Sequence, residues 1–290
     1  MNTYHKSVLL QEVIKLLNIS KGEKYIDATL GGGGHSFAIL EASGEVLSLD
    51  VDQDAIAHVE EKLKNYNNFK IVKGNFREIG KIARENDFKE VAGIIFDLGV
   101  SSHQFDSGQR GFSFKKEGPL DMRMDQDLKI KAGDLVNILT KGELYELFTK
   151  LGEEGFAHAI ANGIVKSRRV KPIWSSSELF GIISQAVKNE HLKLDAAARI
   201  YQALRIAVND ELNSLRIALP QAMELLKKRG RIAVISFHSL EDRIVKNQFL
   251  KWQEEGKGEI VTKKPITPGT EELKDNKRSR SAKLRIIEKL

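Results

Sequence analysis

Apolar runs of strand length recur along the chain at 25–30, 46–49, 69–72, 94–96 and 232–237, most of them bounded by Gly, Asp or Asn. Helical spacing of apolar positions fills the gaps between the first four, as at 36–42 and 54–66. Strand and helix in alternation predict a parallel sheet covered by helices on both faces. The alternation stops after the fourth strand. From 101 to 172 no strand pattern is seen, and a glycine-rich segment, Gly108-Gln-Arg-Gly-Phe-Ser-Phe114, leads toward amphipathic helices at 141–151 and 154–167. Further helical runs cover 176–189 and 196–228, the second broken near Pro220. After the fifth strand, extended stretches at 259–266 and 283–288 predict an antiparallel hairpin at the sheet edge.

This pattern predicts an α/β domain, 1–105 with 206–290, interrupted after strand four by a helical insertion, 106–205. Such an insertion takes its position from the scaffold and is expected to carry substrate recognition.

Composition narrows the picture modestly. The 290 residues contain no cysteine, which excludes disulfides, thiolate metal sites and thiol nucleophiles. No metal site is expected. The first residues are polar, and no apolar run approaches the roughly 20 residues of a membrane span. A cytoplasmic protein without a membrane partner is the expectation. The net charge of +6 suits a nucleic-acid partner. It is gathered in two clusters: Lys166, Arg168, Arg169 and Lys171, then Lys274, Lys277, Arg278, Arg280, Lys283 and Arg285. Either cluster taken alone is equally a solvated face.

The chemistry concentrates at the strand ends. Tyr25-Ile-Asp-Ala-Thr-Leu-Gly-Gly-Gly-Gly-His-Ser36 reads as a strand, a glycine turn and a helix start, the entrance of a nucleotide-type site. No lysine follows the glycines, which argues against a triphosphate loop, and Ser36 stands where a dinucleotide fingerprint has its third glycine. The second strand ends in Asp50, placed to accept ribose hydroxyl hydrogens, with Asp52 or Asp54 free to cap the next helix. The third ends in Lys73-Gly-Asn-Phe76, whose ring suits either an adenine face or the core. The fourth ends in Asp97-Leu-Gly-Val-Ser101. Asp27 either braces the glycine turn or meets a cofactor ammonium.

Longer motifs sharpen this. Tyr4-His-Lys-Ser-Val-Leu-Leu, Asp27-Ala-Thr-Leu-Gly-Gly-Gly-Gly-His-Ser, Phe96-Asp-Leu-Gly-Val-Ser-Ser, Arg110-Gly-Phe-Ser-Phe, Gly118-Pro-Leu-Asp-Met-Arg-Met-Asp, Gln202-Ala-Leu-Arg-Ile-Ala-Val-Asn-Asp-Glu-Leu, Ile235-Ser-Phe-His-Ser-Leu-Glu-Asp-Arg and Arg280-Ser-Ala-Lys-Leu-Arg resemble the MraW/RsmH family. That family methylates the N4 amine of a cytidine in 16S (small-subunit) ribosomal RNA. The resemblance spans essentially the whole chain. It implies a class I methyltransferase Rossmann-like sheet and S-adenosyl-L-methionine as cofactor. It also implies cofactor contacts at Gly33, Gly34, His35, Asp50, Phe76, Asp97 and Gln104. The implied partner is small-subunit ribosomal RNA within the assembled small ribosomal subunit, and a homodimer is compatible with it. One departure stands out: Asp195-Ala-Ala-Ala-Arg199 replaces the family's His-Pro-Ala-Thr-Arg-like run.

A cytosine amine is a weak nucleophile and a sulfonium methyl is already activated, so positioning is the main catalytic task. Asp97 is the expected acceptor for the amine's hydrogens, with Ser101 or Ser102 assisting. The base must leave its stack, and Phe112, Phe114 and Phe237 are the aromatics expected to hold it. Arg110, Arg123, Lys166, Arg168, Arg169, Lys277, Arg278 and Arg280 are the expected phosphate contacts. His238 and Glu241-Asp-Arg243 either face the target or open a helix after strand five. The competing readings are a small-molecule methyltransferase, a nicotinamide oxidoreductase, and a catalytically inactive RNA-binding or ribosome-assembly protein that keeps the fold.

Overall fold

The computed structural model describes residues 7–101, 104–105 and 108–290. Its strands are β1 (Lys24–Asp27), β2 (Glu45–Asp50), β3 (Phe69–Lys73), β4 (Val91–Asp97), β5 (Leu226–Ser236), β6 (Gly258–Ile260) and β7 (Lys283–Lys289). They form one seven-stranded sheet in the order β3-β2-β1-β4-β5-β7-β6. Neighbours among the first five run parallel, while β7 runs antiparallel to both β5 and β6. From β1 the chain builds outward to β2 on one side and returns to β4 on the other. The loops leaving β1 and β4 therefore diverge and open a crevice at their carboxyl ends, where ligands bind in sheets of this kind. The architecture is that of a class I methyltransferase.

The helices before the insertion are α1 (Leu10–Leu17), α2 (Gly34–Glu41), α3 (Gln53–Leu63) and α4 (Ile79–Glu85). The insertion holds α5 (Ala132–Ile138), α6 (Lys141–Gly152), α7 (Ala157–Arg168), α8 (Ser176–Ala186) and α9 (Glu190–Asn209); α10 (Glu211–Leu225), α11 (Ser239–Glu254) and α12 (Thr270–Asp275) follow. Side chains alternate across the sheet. Ile26, Leu47, Leu49, Ile94 and Phe96 pack with α4, α10 and α11 on one face. Tyr25, Val46, Ile95, Ala233 and Ile235 pack with α1, α2 and α3 on the other. Burial on both faces is why these strands read as unbroken apolar runs.

The chain divides into two compact units, one reaching to Ser101 and resuming at Leu212–Leu290, the other running from Ser102 to Glu211. The second is all-helical around Leu144, Phe148, Ile160, Ile164, Leu179, Ile183, Ile200 and Leu204. Capping boxes open two of its helices: Thr140 with Glu143 at α6, and Ser175 with Glu178 at α8. Among the described residues no helix is long and apolar enough to cross a membrane.

One detail corrects the sequence reading. The long helical run breaks at Asp210, which takes left-handed angles, and Pro220 lies inside α10. Burial of Ala218, Leu219, Ala222 and Met223 around the proline outweighs the backbone bond it forfeits. The expected edge hairpin forms: β7 pairs antiparallel with β6, the outermost strand, and joins the pair to the sheet through β5. β6 is only three residues long, with a lone bridge from Ile266 to Leu284 beyond it. Pro265 lacks a ladder donor, which keeps the stretch between from pairing continuously.

Candidate cofactor site

The site is built on the loop between β1 and α2. That loop stays joined to both neighbouring strands: Ala28 N–H donates to Ile95 O at 2.9 Å and Leu30 N–H to Leu49 O at 2.8 Å. Gly33 caps α2 at φ 77°, a left-handed conformation that costs glycine little. A Cβ there would stand 2.9 Å from a Val59 methyl. Glycine at this position therefore lets the loop pack directly on α3.

Beneath it lies a closed polar network. Asp27 is buried, accepting from Ser36 Oγ at 2.6 Å and from Thr29 N–H at 3.2 Å. Ser36 Oγ is 2.7 Å from Ser48 Oγ. Burial raises the Asp27 carboxyl above its ordinary value. Of its two expected roles, Asp27 therefore fills the bracing one.

Asp50 ties the first loop to the second, accepting Gly31 N–H at 2.8 Å on one oxygen and Asp52 N–H at 2.9 Å on the other. Each oxygen keeps a second lone pair, the arrangement a vicinal diol needs. Burial pushes Asp50 up to about 6. Asp52 accepts from Asp54 N–H at 3.2 Å as the cap of α3, so the two acids divide the work. Phe76 opens a short turn capped by Asn75 and stands edge-on to Phe96, 5.8 Å between centroids. The ring is only partly buried, so it both packs on the core and offers surface.

At the end of β4, Asp97 is fixed through its backbone N–H, which donates to Thr29 Oγ1 at 2.6 Å. Its Oδ1 is buried and has no hydrogen-bond partner among the described residues. Its Oδ2 lies 3.7 Å from His35 Nδ1. Burial, then the nearby carboxylates of Asp27, Glu241 and Glu272, push Asp97 well above the usual carboxylate range. Burial lowers His35 to about 4, so the ring is neutral near pH 7 and the short distance is no ion pair. Its Nε2 sits 3.2 Å from the Val8 carbonyl, which only accepts, so Nε2 carries the proton. The Asp97 carboxyl and the His35 Nδ1 lone pair thus face each other, and Asp97 Oδ1 is left for a ligand donor. A ligand with a cationic N–H group, a ribose diol and a flat base fits these groups in turn.

Other expected residues fall elsewhere. Ser101 closes the first unit, half-buried; Ser102 and the Tyr4–Lys6 part of the first motif lie outside the described residues. Gln104 is buried in the second unit. Arg110 is buried and donates to the Arg123 and Met124 carbonyls, while Arg123 grips Asp121, Gln126 O and Leu128 O. Both arginines brace a loop, which corrects their reading as phosphate contacts. Phe114 stacks on Phe180 at 5.4 Å and meets Tyr201 edge-on, and Phe112 is buried, so both belong to the helical core and not to a base clamp. Phe237 lies against the chain at Gly99, just past β4. His238 and Glu241 form the capping box of α11. Asp242 holds Arg285 at 2.6 Å and Lys283 at 3.4 Å, which removes those two cations from the free tail charge. Arg168 donates to Val136 O, whereas Lys166, Arg169, Lys277, Arg278 and Arg280 are exposed. Arg199 of the departed run pairs with buried Glu154 at 2.7 Å. Sequence reasoning passed over Thr29, Ser36 and Ser48, whose one signal was a small hydroxyl inside apolar runs.

Similarity to known proteins is extensive. A protein of Coprothermobacter proteolyticus named ribosomal RNA small subunit methyltransferase H is 43% identical over 287 residues, covering 98% of this chain and 96% of that one. The protein of the same name from Persephonella marina is 45% identical over 291 residues, 99% of each. Likeness to solved structures is remoter: an rRNA methylase from Streptococcus thermophilus superposes with TM-score 0.46 at 12% identity, covering 98% of both chains. The sequence model of the MraW methylase family matches residues 2–290, and with relatives this similar over nearly its full length the chain belongs to that family.

Proposed function

We propose that this chain transfers a methyl group from S-adenosyl-L-methionine to the N4 amine of a cytidine in 16S ribosomal RNA, acting in the cytoplasm on the assembled small subunit. The observation that carries the reading is the buried, unpartnered Asp97 Oδ1 beside His35, at the end of a glycine-rich loop. Gly33, Gly34 and His35 would hold the amino-acid end of the cofactor, Asp50 the ribose and Phe76 the adenine, with Gln104 as a further contact. When bound, the cofactor supplies a sulfonium-activated methyl group.

The chain's own task is to present the amine and to receive its proton. Asp97 accepts an N–H of the amine, which turns the nitrogen lone pair toward the methyl group. As the new N–C bond forms and the S–C bond breaks, the nitrogen gives up a proton. The raised affinity of Asp97 for protons suits it to that proton, with Ser101 assisting. The helical unit serves substrate recognition, and Lys166, Arg168, Arg169, Lys277, Arg278 and Arg280 meet phosphates.

Labelled methyl transfer to unmethylated small subunits and to naked 16S RNA, with the modified base mapped, tests this. Label on a cytidine N4 of the subunit is expected. Label on another base, or transfer only to small molecules, overturns the reading.

A further inference from the structure

The helical unit carries an unusual exposed ridge that none of the assignments above uses. Residues 166–174 read Lys-Ser-Arg-Arg-Val-Lys-Pro-Ile-Trp, with no acid among them. Val170 is 90% exposed and Trp174 52% exposed, large apolar surfaces to leave in water. Ile138, at the end of α5, is 73% exposed beside them. The ridge is firmly held: Asn137 both donates to and accepts from the Ile173 backbone, at 2.7 and 2.9 Å. Glu178 accepts Trp174 N–H at 3.0 Å and Ser175 N–H at 3.1 Å, and pairs with Lys171 at 2.7 Å. That pairing with Lys171, with the backbone donors, holds Glu178 down at about 2. The six-membered ring of Trp174 rests over Gly133, where a Cβ would come within 2.9 Å of it. Among the described residues Lys166 and Arg169 have no carboxylate partner.

We propose that Trp174 is a stacking platform for an unpaired RNA base, with Lys166 and Arg169 taking the flanking phosphates. The charge on the ridge is wholly positive apart from the neutralised Glu178, which favours a polyanion. A fixed, half-exposed indole on a segment rich in exposed cations is the kind of surface by which proteins bind single-stranded nucleic acid without reading sequence. A double-stranded helix offers no base face to it. The inference rests on the RNA reading given above and names a contact outside the cofactor cradle.

The chain has two tryptophans, and Trp252 is buried, so a change in emission on binding reports Trp174. Emission is followed while an unstructured mixed-sequence 12-nucleotide RNA, or the same RNA as a duplex, is titrated in. The single strand is expected to quench emission and the duplex to do so little. Variant affinities are read from the anisotropy of a dye-labelled form of the same RNA: Trp174→Ala is expected to weaken single-strand binding about five- to a hundredfold while leaving its salt slope unchanged, because stacking releases no counterions. Arg169→Ala is expected instead to shallow the slope by about 0.7. Trp174→Phe, which still packs on Gly133, is expected to keep most of the affinity. Wild-type binding in Trp174→Ala, or emission that answers to RNA-free ribosomal proteins and not to RNA, overturns the proposal. Methyl transfer by the wild type is measured in parallel: activity with an unresponsive Trp174 sinks this inference alone, whereas a wild type that neither binds RNA nor transfers methyl sinks the functional reading.

Discussion

Asp97 and Asp50 are carboxyls held where water does not help them, and burial raises both above the ordinary carboxylate range. Replacing Asp97 by Ala is expected to cut methyl transfer by about a hundredfold or more while the fold persists; near-normal turnover at unchanged melting temperature counts against its role. Asp50 titrates at about 6 in the folded chain and near 3.8 in the unfolded one. The stability linked to this raised value is fully present below the unfolded value and is lost as pH rises through about 6. The melting temperature of Asp50→Asn relative to wild type should therefore climb between pH 4 and pH 7, as checked by paired thermal melts. Cofactor affinity should move the same way with pH in the wild type, rising through about 6, because the diol needs an ionised acceptor. Asp50 and Asp97 were legible in the sequence because each closes an apolar run. Thr29 was not, since its role is to hold the Asp97 backbone 68 residues away, a pairing that spacing does not encode.

At the scale of elements, strands buried on both faces announce themselves, and β1 to β5 were all readable. The segments near 266 and 210 were less so, because proline and a left-handed aspartate act there against the surrounding burial. The glycine-rich segment of the helical unit gives a sharper lesson. Gly118 packs so tightly on Gly108 that a Cβ would overlap the Gly108 carbonyl. That closeness, and the arginines spent on nearby carbonyls, make the segment a structural loop where the sequence suggested a binding one. Gly118→Ala is expected to destabilise by about 1–3 kcal/mol, since backbone cannot yield as a side chain would. Denaturant unfolding gives the value, and a loss below a few tenths would contradict the close packing.

For the molecule as a whole, Lys283 and Arg285 are committed to Asp242, and the charge offered to a polyanion lies on exposed Lys166, Arg169, Lys277 and Arg280. Methylation is expected to fall steeply between 50 and 200 mM salt, by about tenfold or more, whereas cofactor affinity changes little. A flat salt response would speak against electrostatic docking on RNA.

The position of β7 has a consequence in time. It follows the other six strands in chain order, yet it lies inside the sheet, bonded on both sides. The cradle residues from Gly33 to Asp97 are all made more than 180 residues before Lys283. A nascent or truncated chain would hold those side chains while leaving β5 as a bare edge, open to pairing with other chains. A chain cut before Lys283 is therefore expected to aggregate although it carries every cradle residue from Gly33 to Asp97.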